Sequence, residues 1–138
     1  MPDWSDKSIL IADDDPSCQA ILKQVLKSTG IKVYQCHNGQ QAFDECIKNT
    51  DIQLVIMDIR MPEVDGLEAT RLIRKYRPNL PILIYTAIND PEYKFLSKKL
   101  NCAEFILKPL TPSEVILIME KYLDSQPDTS MSGKYLWT

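Results

Sequence analysis

The stretch Gln53–Tyr76, QLVIMDIRMPEVDGLEATRLIRKY, decides the fold. It opens on Leu54-Val55-Ile56-Met57, four apolar residues in a row, where a strand with one wet face would alternate. A run that is apolar on both faces suits a central strand of a parallel sheet covered by helices. The run stops at Asp58. After a loop containing Met61-Pro62, Asp65-Gly66 marks a helix start and Leu67 and Ile73 fall on its length; Pro78 requires the helix to stop before it. Strand, loop and helix in that order form one unit of an α/β domain.

The same unit recurs on either side. Short apolar, β-branched runs occupy Ser8–Ala12, Lys32–Cys36, Gln53–Met57, Ile82–Thr86 and Glu104–Leu107. In the first intervening segment Asp15 is placed to cap a helix, Pro16 to sit at its first position and Gly30 to stop it, with Ile21, Leu22, Val25 and Leu26 on one face. The second helix starts at Asn38-Gly39 and aligns Ala42, Phe43, Cys46 and Ile47; the fourth starts at Asp90-Pro91 and aligns Tyr93, Leu96 and Leu100. Thr111-Pro112-Ser113-Glu114 is a capping box opening the fifth. Its core stripe is expected at Val115, Ile118, Met119, Tyr122 and Leu123, which leaves Ile116 and Leu117 pointing outward. Five strands alternating with helices predict a parallel sheet with right-handed crossovers and helices on both faces. One domain is expected over residues 7–124, preceded by an extension at 1–6 and followed by a polar tail at 125–138 that includes Tyr135, Leu136 and Trp137.

A chain of 138 residues has the size of one domain and buries roughly two-thirds of its unfolded surface without help from disulfides. Sixteen basic against nineteen acidic residues give a formal charge of −3. With no Lys/Arg block, nucleic acid is not expected as a direct partner. The longest uninterrupted apolar stretch, Val115 to Met119, is too short for a membrane span, and the acidic start lacks the apolar core of a secretory signal. Cys18, Cys36, Cys46 and Cys102 lie far apart with no metal-ligand spacing, as reduced thiols of a cytoplasmic protein would. His37, the only histidine, is expected on a loop.

Ligands of open parallel sheets bind beyond the carboxyl ends of the strands, so the residues leaving each strand carry the chemistry. Those residues are Asp13-Asp14-Asp15, Asp58, Thr86 and Lys108-Pro109. Crowded carboxylates repel unless a proton or cation offsets them, and hard oxygen ligands suit Mg²⁺. Asp15, one place beyond the pair, is assigned only the helix cap. One carboxylate left free to attack phosphorus, with Lys108 and Thr86 available to the equatorial oxygens, fits phosphoryl transfer.

Four segments, ILIADDD at 9–15, VIMDIRMPEVDG at 55–66, Tyr85-Thr86-Ala87 and Leu107-Lys108-Pro109-Leu110, resemble the receiver domain of two-component response regulators. Each motif alone is short, but the four stand in order at four strand ends over residues 7–124. The resemblance implies a flavodoxin-like (βα)5 fold with strand order 2-1-3-4-5. It implies that Asp58 accepts a phosphoryl group from a histidine kinase or histidine phosphotransfer protein. Asp13 and Asp14 would organise Mg²⁺ (or Mn²⁺) together with Asp58 and the backbone carbonyl of Arg60. Lys108 would pair with the phosphoryl oxygens, Thr86 would move inward to bond one of them, and Phe105 stands where an aromatic side chain swings on activation. A cis bond is expected between Lys108 and Pro109. The face made by the fourth helix, fifth strand and fifth helix would serve output binding or homodimerisation. Arg60 and Ile88, bulkier than is common two residues after the acceptor and after the threonine, are expected to hinder water and lengthen the life of the phosphorylated form.

The expected function is therefore a phosphorelay switch that catalyses only its own phosphorylation and dephosphorylation. An aspartyl-phosphate phosphatase would need a second acid two residues after the nucleophile, where Arg60 stands. A flavin carrier would need amides cradling a phosphate where Asp13-Asp14-Asp15 would repel it. A receiver that has lost its chemistry would not be expected to keep all five site residues. No output domain is expected beyond residue 124. That leaves open a free-standing regulator or a receiver excised from a hybrid kinase or multi-domain regulator.

Overall fold

A computed structural model describes residues 1–124. Five strands, β1 (Ser8–Ala12), β2 (Lys32–Cys36), β3 (Ile52–Met57), β4 (Ile82–Thr86) and β5 (Glu104–Leu107), alternate with helices α1 (Pro16–Leu26), α2 (Gly39–Lys48), α3 (Gly66–Arg74), α4 (Pro91–Lys99) and α5 (Pro112–Leu123). All strand pairings are parallel, in the order β2-β1-β3-β4-β5. Every residue of β1 and β4 is buried, and in β3 only Gln53 is exposed. Strand β3 begins at Ile52, one residue before the expected start.

The expected caps are present. Asp15, Asn38, Asp65, Asp90 and Thr111 each accept a backbone N–H from the first turn of the helix they open, and Gly30 turns the chain at φ 75°. Two apolar layers flank the sheet. One gathers Leu10, Val55, Ile82 and Ile84 with Ala42, Cys46, Leu67 and Ile73; the other gathers Ile9, Ile11, Ile56 and Leu83 with Leu22, Leu26, Val115 and Met119.

Four packing expectations are corrected, the first at Ile47, which is exposed while Ala42 and Cys46 of the same face are buried. Ile21 is 62% exposed, and the inner face of α1 instead includes Gln19, whose amide donates to the carbonyls of Ile11, Asp13 and Cys36. A carbonyl oxygen accepts two hydrogen bonds, and the buried amide fills acceptor capacity at this end of the sheet that an isoleucine would leave open. Ile116 is buried in the second layer, so only Leu117, at 63%, faces outward on α5. Leu96 of α4, expected inside, is exposed. At the other terminus Trp4 is fully buried; its indole donates to the Asp124 carboxylate at 2.7 Å and its backbone N–H to Thr29. The tail at 125–138, with Tyr135, Leu136 and Trp137, lies outside the described residues.

Candidate functional site

The carboxyl ends of β1 and β3 are neighbours, and this brings Asp13, Asp14 and Asp58 together. The Asp13 N–H continues the β1–β2 ladder to Cys36, and the Asp58 N–H donates to the Ala12 carbonyl at 2.9 Å. One oxygen from each of the three carboxylates lies within 4.8 Å of the others. Each buried member is pinned at one oxygen by a backbone amide: Asp15 N–H to Asp13 Oδ1 at 2.9 Å, and Ile59 N–H to Asp58 Oδ1 at 2.8 Å. The second oxygens face Lys108, whose Nζ lies 2.7 Å from Asp13 Oδ2 and 3.2 Å from Asp58 Oδ2.

Three carboxylates thus cluster beside one ammonium, which pairs with two of them. Burial, the largest influence, raises the Asp58 pKa above the ordinary value; Lys108 pulls it back, and the Asp13 charge adds to the rise. Lys108 is raised as well: partial desolvation opposes its charge, but the bond to Asp13 and the charges of Asp58 and Asp13 outweigh it. Asp58 keeps 9% exposure, so the carboxylate is recessed yet reachable. The donor chemistry, hard anionic oxygens in excess of positive charge, fits a small divalent cation.

Thr86 ends β4, is 1% exposed, and its hydroxyl accepts the Ile88 N–H at 3.2 Å. The Lys108 N–H donates to the Thr86 carbonyl at 2.8 Å, and Lys108-Pro109 is cis, as expected for this turn. Phe105 is half-buried and packs against the layer that also receives Tyr93 and Leu100. Arg60 is exposed on the loop leaving β3. Asp15 caps α1, and His37 is an exposed loop residue. Burial pushes the thiols of the four cysteines up to about 12.

Two residues at this rim escaped the sequence reading. Gln19 secures the carbonyls behind Asp13, and its polarity concealed it on an apolar face. Tyr85 lies under the Lys108 loop, its hydroxyl accepting the Leu110 N–H; the sequence offered it only as the neighbour of Thr86 in a motif, with no role of its own.

Known proteins resemble this chain in sequence and in fold. A family model for the response regulator receiver domain matches residues 9–120. The response regulator GtcR of Aneurinibacillus migulanus is 35% identical over 118 residues, 85% of this chain and 48% of that protein. The autoinducer sensor kinase/phosphatase CqsS of Vibrio cholerae is 38% identical over 108 residues, 75% of this chain but 16% of that protein. The transcriptional regulatory protein ZraR of Klebsiella oxytoca is 33% identical over 83% of this chain and 26% of that protein. The chain therefore spans less than half the length of these curated relatives. A CheY-like receiver domain protein of Methanospirillum hungatei superimposes with a TM-score of 0.80 at 27% identity, covering 86% of this chain and 94% of that one. With its fold, its four ordered motifs and the family match in agreement, this chain belongs to the response regulator receiver domain family and is a phosphoacceptor module of two-component signalling.

Proposed function

We propose that Asp58 is the phosphoacceptor and that Asp13, Asp14, Asp58 and the Arg60 carbonyl hold Mg²⁺ (or Mn²⁺). The observation that carries this reading is the convergence of three carboxylates and Lys108 from three separate strand ends. A bound divalent ion would supply positive charge against the carboxylates and the phosphoryl oxygens. An Asp58 oxygen attacks the phosphorus of a phosphohistidine on a kinase or phosphotransfer protein; the P–N bond breaks and the imidazole leaves with a proton. Lys108, already within reach of the Asp58 oxygen, offsets charge on the incoming group. Thr86 exchanges its present bond from Ile88 for donation to a phosphoryl oxygen, and Phe105 repacks on the same side of the sheet.

The output surface is the face of α4, β5 and α5, where Phe95, Leu96, Leu107 and Leu117 are exposed; a partner protein or a second copy would bind there. The catalysis is confined to the domain's own phosphorylation and dephosphorylation. Residues 7–124 form the switching unit, and four cysteines scattered along the chain without metal-ligand spacing fit a reducing, cytoplasmic setting. No described helix is long and apolar enough to cross a membrane. The relatives differ in what surrounds the matched segment, so both a free-standing regulator and a receiver within a hybrid kinase are compatible contexts.

Intact mass after treatment with acetyl phosphate and Mg²⁺ tests the assignment. One added phosphoryl group, absent in Asp58→Asn and after chelation of the metal, is the expected result. A label that persists in Asp58→Asn would place the acceptor elsewhere.

A further inference from the structure

Lys108 must bring a long, flexible side chain to a fixed point, and holding it there costs rotamer freedom. What holds it there lies on the other face of β4 from Thr86. The residue after Lys108 is Pro109, which has no N–H, so the next donor along the loop is the Leu110 amide. That amide donates to the Tyr85 hydroxyl at 2.9 Å. The Lys108 ammonium stands 5.5 Å from the centroid of the same tyrosine ring, within cation–π range. One side chain thus meets the loop twice, at the charged tip of Lys108 and at the backbone beyond the proline.

Tyr85 is suited to that task. It is 7% exposed and packed among Leu22, Ile56, Leu83, Ile106 and Val115, so its ring is a fixed plate and not a mobile surface group. A buried hydroxyl is costly unless bonded, and an aliphatic residue here would leave the Leu110 N–H without its partner. Strand β4 therefore ends in adjacent residues facing opposite ways: Thr86 toward the α4 side, Tyr85 toward the α5 side beneath Lys108.

We propose that Tyr85 is the positioning residue for Lys108, fixing its ammonium through the ring face and its loop through the hydroxyl bond to Leu110. This rests on the assignment of Lys108 to the phosphoryl oxygens. Misplacing a reacting group by about 1 Å can cost on the order of 100-fold, and a partly loosened lysine should cost about a tenth of that.

The test compares phosphorylation by phosphoramidate with saturating Mg²⁺ in the native chain, Tyr85→Phe, Tyr85→Leu, Lys108→Ala and the two double variants. Tyr85→Leu is expected to slow the reaction about tenfold and Tyr85→Phe, which keeps the ring, about threefold. In the Lys108→Ala background both are expected to change it by less than about twofold, because the group they position is gone. A general packing defect would lower the rate equally in both backgrounds and would overturn the proposal. So would Tyr85→Leu reacting at the native rate while Lys108→Ala is slow. Lys108→Ala reacting at the native rate would remove the Lys108 assignment and this inference together. If Tyr85→Leu does not fold, Tyr85→Phe carries the same comparison.

Discussion

Helices α3 and α4 are both nine residues long, both follow a loop from the phosphoryl rim, and they are seated very differently. Gly66, Leu67, Ala69, Thr70 and Ile73 of α3 are buried, whereas in α4 only Ser97 is. The start of α3 presses on the backbone of Asp58: a Cβ on Gly66 would come 1.8 Å from its carbonyl oxygen. Helix α4 presents Phe95, 57% exposed, and Leu96, 39% exposed. Its C-terminal end is nonetheless held, because Arg74 donates to the carbonyls of Leu100 and Asn101 at 2.9 and 3.0 Å. A helix clamped at one end and lightly packed along its length can shift at its N-terminal end, which follows Thr86 and Ile88. The rigid member fixes the position of Asp58, and on the proposed reading the loose member reports on it.

The largest effect should come from truncating the two helices in parallel. Ile73→Ala opens a cavity under α3 and is expected to lower unfolding free energy by 2–5 kcal/mol, about the usual range for buried large-to-small changes. Leu96→Ala in α4 should cost less than about 1 kcal/mol. Urea denaturation reads both; equal losses would break the contrast.

A second, smaller effect separates packing from charge at the base of α3. Because burial raises Asp58 above its unfolded value, the folded state prefers the protonated form. The stability this lends is present at acid pH and is lost as pH rises from about 4 through the folded pKa. Asp58→Asn, which cannot ionise, should therefore unfold at higher urea than the native chain at pH 7, and the gap should close below about pH 4. A variant less stable than native at pH 7 would contradict the direction assigned to Asp58.

The smallest effect concerns the loops that lead into the two helices. Arg60 precedes α3 and is exposed; Ile88 precedes α4 and is half-buried beside Thr86. If their bulk hinders an attacking water, Arg60→Asn and Ile88→Glu should each speed loss of phosphate a few-fold, which is under about 1.4 kcal/mol of barrier. Unchanged lifetimes in both would discard that role.

The contrast between α3 and α4 also marks what the sequence made legible. Strands, caps and the rim residues were readable because each is written locally: an apolar run, a capping Asp or Thr, a charged residue where the run stops. The depth at which a helix sits is not local. Leu96 has the spacing of a core residue, yet α4 lies too lightly on the sheet to cover it. Ile21 gave way to Gln19 because the buried carbonyls of Ile11 and Cys36 keep lone pairs that an amide donor fills, a need visible only once the strands are paired. Ile116 is enclosed because the layer containing Trp4, Val115 and Met119 wraps further around α5 than a narrow stripe allows. Trp4 itself looked like part of a polar extension until its indole met Asp124 across the fold. At the site, the sequence named the groups that bear charge and missed Gln19 and Tyr85, which hold the backbone and Lys108 behind them.

Amide hydrogen exchange, measured on the unmodified protein and on protein held phosphorylated by acetyl phosphate and Mg²⁺, tests the division of labour between the two helices most directly. Protection in α4 is expected to change on phosphorylation while that of α3 stays as it was, and Asp58→Asn should show no change in α4. Equal changes in both helices, or none in α4 despite a phosphorylated Asp58, would contradict the account.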